Sequence, residues 1–134
     1  AIGCSIKKME NIQNRLPDHM QAEKIIFIIT TDGLENASQK YSYPMIKDMI
    51  ERSQEKGWQF LFLGANIDAI KEASRMGIRK THAVSYKNDS AGVRLNYQVT
   101  DDVLSCIRQS DIHTAELKIP DYLKPVQKHL NDNI

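Results

Sequence analysis

The chain has 134 residues, 41% apolar and 26% charged, and its 18 Lys and Arg against 17 Asp and Glu leave a formal net charge of +1. That length holds one domain with one core. The near-balanced charge excludes an electrostatic case for nucleic acid or an anionic membrane as partner, and no apolar run approaches the roughly 20 residues that span a bilayer.

The chain opens on Ala1-Ile2-Gly3, with neither an initiator Met nor the basic start and apolar centre of a signal peptide. Ile2, Ile6, Met9 and Leu16 already follow a helical period, so the sequence reads as starting inside an element, as a fragment, a processed product or a truncated reading frame would. Residues 1–15 are predicted as an amphipathic helix that stops at Leu16-Pro17-Asp18, because Pro17 disfavours helical geometry in the residue before it. Lys24 to Thr30 is a continuous β-branched and aromatic run, the pattern of a strand buried on both faces of a parallel sheet.

Ser42 is a good N-cap and Pro44 falls in a first helical turn, ahead of the stripe Met45, Ile46, Met49 and Ile50. Gly57 ends that helix. A second buried strand runs from Trp58 to Leu63 and leads into Gly64-Ala65-Asn66. Asp68 caps a short helix that Gly77 closes, His82 to Tyr86 reads as a third strand, and Asn88-Asp89-Ser90 offers a cap for a longer helix carrying Leu95, Val99, Val103 and Ile107. Residues 110–134 are polar, contain Pro120 and Pro125, and are expected to hold at most one short helix near Tyr122 to Leu130 or to be loosely ordered.

Helices and strands thus alternate, which predicts an α/β fold: a Rossmann-like parallel sheet of about three strands with helices on both faces. The expected organisation is an α/β unit over residues 1–109 and a tail over residues 110–134. Cys4 and Cys106 form no Cys-x-x-Cys pair and are too few for a disulfide framework, so they read as reduced thiols of a cytoplasmic protein.

Ligands of open α/β sheets bind beyond the carboxyl ends of the strands, which directs attention to Thr30 to Asn36, Gly64 to Asp68, and Lys87 to Ser90. The first is the richest: Asp32 follows the strand directly, Gly33 lets the backbone turn, and Glu35 and Asn36 come next. Carboxylates and hydroxyls are hard oxygen ligands suited to Mg²⁺, Mn²⁺ or Ca²⁺. Asp32 also fits a turn residue bonding its own backbone, and Asp68 a plain helix cap. The histidines, His19, His82, His113 and His129, show no metal-ligand spacing and read as surface or strand-end residues. Asp101-Asp102 reads as a solvated helix face, and Trp58 and Phe60 as core. Neither a Gly-x-Ser-x-Gly elbow nor a phosphate-binding glycine loop occurs.

The run Lys24-Ile25-Ile26-Phe27-Ile28-Ile29-Thr30-Thr31-Asp32-Gly33 resembles the fourth strand of von Willebrand factor A-type (vWA) domains. Its continuation through Ser38, the stretch Gly57 to Ala69 and Gly77-Ile78 are similar to a bacterial intracellular branch of that family, the likeness covering about residues 1–109. The resemblance implies the second half of a Rossmann-like domain, with Asp32 as one ligand of a metal-ion-dependent adhesion site. The Asp-x-Ser-x-Ser motif that completes that site is nowhere in the 134 residues. The resemblance therefore implies a non-catalytic module that binds a protein partner and holds Mg²⁺ or another divalent cation only weakly, since hard cations need several oxygens held together. It also implies that the strand at residues 24–30 lacks its usual neighbour and becomes an exposed edge, to be filled either by a second copy of the chain or by an N-terminal half outside these 134 residues. Two other readings stand beside it: a metal-dependent α/β enzyme using Asp32, and a truncated product with no independent function.

Overall fold

Three strands, β1 (Ile26–Thr31), β2 (Gln59–Gly64) and β3 (Ala83–Ser85), form a parallel sheet in the order β1-β2-β3. The computed structural model describes residues 2–21, 24–31 and 42–132. Ile26 pairs with Gln59 and the register runs on to Thr31 with Gly64; Phe62 pairs with Ala83 and Gly64 with Ser85. Parallel neighbours require crossovers, and right-handed crossovers stepping in one direction put their helices on the same side of the sheet. Accordingly α2 (Tyr43–Glu55) and α3 (Ala69–Arg75) share a face with α1 (Ile2–Arg15), and α4 (Ser90–Gln109) and α5 (Ile112–Asp132) cover the other.

The strand side chains divide between the two layers by the two-residue period of a strand. Phe27, Ile29, Phe60, Phe62 and Ala83 pack with Ile6, Ile46, Ile50, Ala69 and Ala73 of the first three helices. Ile26, Ile28, Leu61, Leu63 and Val84 meet Val99, Val103 and Ile107 of α4 and Ile119, Leu123 and Val126 of α5. The fold is α/β and Rossmann-like, as the alternation predicts.

Every residue of central β2 is buried, but none of β1 is: Thr30 is exposed and the rest are half-buried. The run at residues 24–30 does serve two apolar layers, yet among the described residues it is laterally an edge, paired with β2 on one side only. Continuous hydrophobicity reports the faces of a strand and is silent about its neighbours.

The caps follow the sequence. Ser42 Oγ accepts from Met45 N–H at 3.4 Å, Asp68 from Lys71 N–H at 3.2 Å and Asp89 from Gly92 N–H at 2.7 Å, each satisfying an orphan first-turn donor. Gly57 (φ 90°) and Gly77 (φ 80°) take the left-handed conformation that ends α2 and α3. At the end of α4 the cap comes from far away in sequence: Lys24 Nζ donates to the carbonyls of Ile107 and Ser110 at 2.5 and 2.7 Å, placing a cation where the helix dipole is negative.

Residues 110–132 depart from expectation. In place of one short helix or a loose tail, α5 is a 21-residue helix with both prolines inside it. Its buried residues Ala115, Ile119, Leu123 and Val126 sit four, four and three positions apart, one continuous core face. Pro120 has no N–H to donate to the carbonyl four residues back, Glu116 O. The ring Nε2 of His82 lies 3.5 Å from that oxygen, so the group that proline deprives faces a donor from outside the helix. His82 belongs to a 3-10 turn, Lys80–His82, which shortens the third strand from the expected His82 to Tyr86. It is buried rather than on the surface, at 2% exposure.

Candidate functional site

The carboxyl ends of the strands are closely tied together. Ala65 N–H donates to Thr31 O at 2.8 Å and Tyr86 N–H to Gly64 O at 2.9 Å, extending the ladders past the last paired residues. Ser85 Oγ donates to Ile67 O (3.2 Å) and accepts from Ala69 N–H (3.1 Å), pinning the loop after β2 against the end of β3. Asn66 takes φ 59°, a left-handed conformation that Asn adopts more readily than most side chains.

A cavity of about 330 Å³ opens beside this loop, lined by Asn66, Ile67, Asp68, Lys71, Glu72 and Arg75. Two of its lining residues, Glu72 and Arg75, form a cluster with Tyr43. Glu72, 3% exposed, accepts a 2.7 Å hydrogen bond from Tyr43 Oη, and Arg75 Nη1 approaches its other oxygen at 3.5 Å. The Arg75 guanidinium also lies 4.0 Å from the centre of the Tyr43 ring, a cation–π contact that leaves the carboxylate between a hydroxyl donor and a cation. Sequence reasoning missed this cluster. Its one signal was that Glu72 lies on the same face of α3 as Ala69 and Ala73, where an acid needs a partner.

At the third strand end, Asp89 accepts from Gly92 N–H and from the His129 ring at 3.1 and 3.4 Å. Those two hydrogen bonds hold its carboxyl below the usual carboxylate range, the Gly92 bond contributing most. The helix end carrying His129 is thereby latched to the start of α4.

Asp32, the predicted metal ligand, lies outside the described residues, as do Gly33, Glu35 and Asn36. Asp68, considered beside it, is engaged as the N-cap of α3. Among the described residues no three His, Cys, Asp or Glu side chains gather as a metal-binding group, so the donors described at the strand ends do not make a cation site by themselves. Asp101 and Asp102 are exposed on α4, and Trp58 and Phe60 are buried with Phe27 in a stack with ring centres 5.9 and 5.3 Å from that residue. Cys4 is exposed and Cys106 buried, both free. Among the described residues no helix is long and apolar enough to cross a membrane. No family model, curated protein or solved structure matches the chain.

Proposed function

We propose that the chain is a vWA-like binding module whose metal-ion-dependent adhesion site is incomplete, with Asp32 as its one metal ligand and a protein as its partner. The observation that carries the reading is the end of β1. Thr31 closes the strand in register with Gly64, and its carbonyl is bonded to Ala65, so the Thr31-Asp32-Gly33 triplet begins at the carboxyl edge where open α/β sheets take ligands. The sequential order of three parallel strands with α1 to α3 on one face supports it further.

In this reading Asp32 would hold Mg²⁺ or a similar hard cation, and the cation would supply a positive centre for a carboxylate of the partner. One carboxylate among solvent oxygens gives a weak site, with a dissociation constant on the order of a millimolar. The role is binding rather than catalysis, in the cytoplasm, and the exposed edge at residues 24–30 offers a second copy of the chain as one protein partner.

Paramagnetic Mn²⁺ tests the assignment. Titration to millimolar concentration is expected to broaden the amide resonances of Thr31 and Ala65, and Asp32→Ala to abolish the effect. Broadening that survives Asp32→Ala, or none in the wild type, overturns Asp32 as a ligand. Hydrolytic turnover lost in Asp32→Ala would assign the chain to the metal-dependent enzymes instead.

A further inference from the structure

The outer edge of β1 has a geometry that matches itself. In the ladder with β2, Gln59 N–H donates to Ile25 O and Ala65 N–H to Thr31 O. Along a parallel strand the residues bonded to one neighbour alternate with those facing away. The odd-numbered residues of β1 therefore face β2, and Ile26, Ile28 and Thr30 direct their N–H and C=O groups outward, where the sheet has no further strand among the described residues. β1 itself has no proline and no charged side chain, and among the described residues no strand pairs with its outer side. Of the two charges that flank it in sequence, Asp32 follows Thr31 directly and Lys24, two residues before Ile26, is tied to the carbonyls at the end of α4.

From this edge we propose that two copies of the chain pair through β1 about a two-fold axis, antiparallel and centred on Ile28, forming a continuous six-stranded sheet. A two-fold axis perpendicular to the sheet is the operation that keeps the α1–α3 layer beside its own counterpart and the α4–α5 layer beside its own. It requires facing residues to share a side of the sheet, so their numbers must both be even or both odd. Centring on Ile28 sets Ile28 against Ile28 and Ile26 against Thr30, with Phe27 against Ile29 in between. The even-numbered pairs are the ones whose outward groups exchange hydrogen bonds, and the odd-numbered pair sets two half-buried apolar side chains together. No other even-sum register matches all three outward-facing residues to one another. The same register puts the two Lys24 side chains at opposite ends of the ribbon, so no like charges meet. Self-pairing thus satisfies both the hydrogen bonds and the apolar area, which favours a second copy over a foreign extended segment. The proposal is independent of any metal at Asp32.

Sedimentation equilibrium of the chain from about 1 μM to about 1 mM spans firm to marginal association. It is expected to show twice the chain mass at the upper end, with slowed amide exchange at Ile26, Ile28 and Thr30. Thr30→Pro removes an outward N–H that β2 does not use, and is expected to weaken the dimer about ten- to a hundred-fold. Thr30→Lys, which leaves the backbone intact, places a charge on the edge and weakens it in the same direction. Far-UV circular dichroism confirms that each variant is folded. A monomer across the whole range overturns the proposal, even if an added extended peptide protects the same three amides. So does a dimer that both variants leave unchanged.

Discussion

Replacing Ile119 by Ala removes three buried carbons from the centre of α5, where the side chain is 1% exposed against the α4 and β-sheet layer. At about 0.8 kcal/mol per buried carbon the lost transfer energy is about 2.4 kcal/mol. Incomplete collapse around the gap brings the total to about 3–4 kcal/mol, within the range for such truncations. For a domain of this length that corresponds to a melting-point drop of roughly 10 °C. Urea unfolding followed by Trp58 fluorescence is the informative assay, because Trp58 belongs to the layer on the opposite face of the sheet, against Phe27. If α5 is part of one cooperative unit, Ile119→Ala moves the Trp58 transition by the full amount and leaves the circular dichroism transition coincident with it. Leu117→Ala, on the exposed side of the same helix at 69% exposure, should move neither by more than about 0.5 kcal/mol. A Trp58 transition unmoved by Ile119→Ala, with helical signal lost in a separate earlier step, would make residues 110–132 an appendage outside the cooperative unit.

Two further outcomes follow from the same contacts. Burial pushes the His82 imidazole below its ordinary value of 6.5, outweighing its backbone hydrogen bond to Glu116. The unfolded chain then binds the extra proton first as pH falls, so His82 contributes stability that is fully present above about pH 6.5 and declines below it. Urea midpoints should fall between pH 7 and 5 in the wild type and fall less in His82→Gln; equal slopes would remove His82 from the account. Gly92→Ala should destabilise by about 1–3 kcal/mol, although Ala normally improves a helix, because its Cβ would stand 1.8 Å from the carbonyl oxygen of Lys87. Thermal melting of that variant reads the sign directly, and a gain in melting temperature contradicts the close approach.

Much of the fold is legible in local patterns. The β-branched and aromatic runs at Ile26 to Ile29 and Phe60 to Leu63 sit in strands, and Ser42, Asp68 and Asp89 cap the helices they precede. What escapes such reading is set by partners distant in the chain. Pro120 and Pro125 are strong local breakers, and they obscure the spacing of Ala115, Ile119, Leu123 and Val126. Only the apolar face of the sheet, together with His82 beside Glu116 O, explains why the helix continues. Glu116 is similar. Burial alone would raise its carboxyl, but hydrogen bonds from Gln59 at 2.9 Å and Arg79 hold it below the ordinary value, and neither partner is near it in sequence. At the strand ends, Asp68 is legible as a cap, whereas the pairing of Glu72 with Tyr43 depends on how α2 and α3 pack.

The division of the core into two layers also sets an order of events during synthesis. The layer beneath α1 to α3 is complete once residue 83 is available, but the layer on the other face draws on residues as late as Val126. At about 5–20 residues per second, the ribosome takes roughly 2–9 s to add the intervening segment. Over that interval Leu61, Leu63 and Val84 have the first layer behind them and an incomplete helical layer in front. A nascent chain in this state presents a flat apolar surface bounded by the edge of β1, the form of intermediate that a holdase chaperone would shield until α4 and α5 emerge.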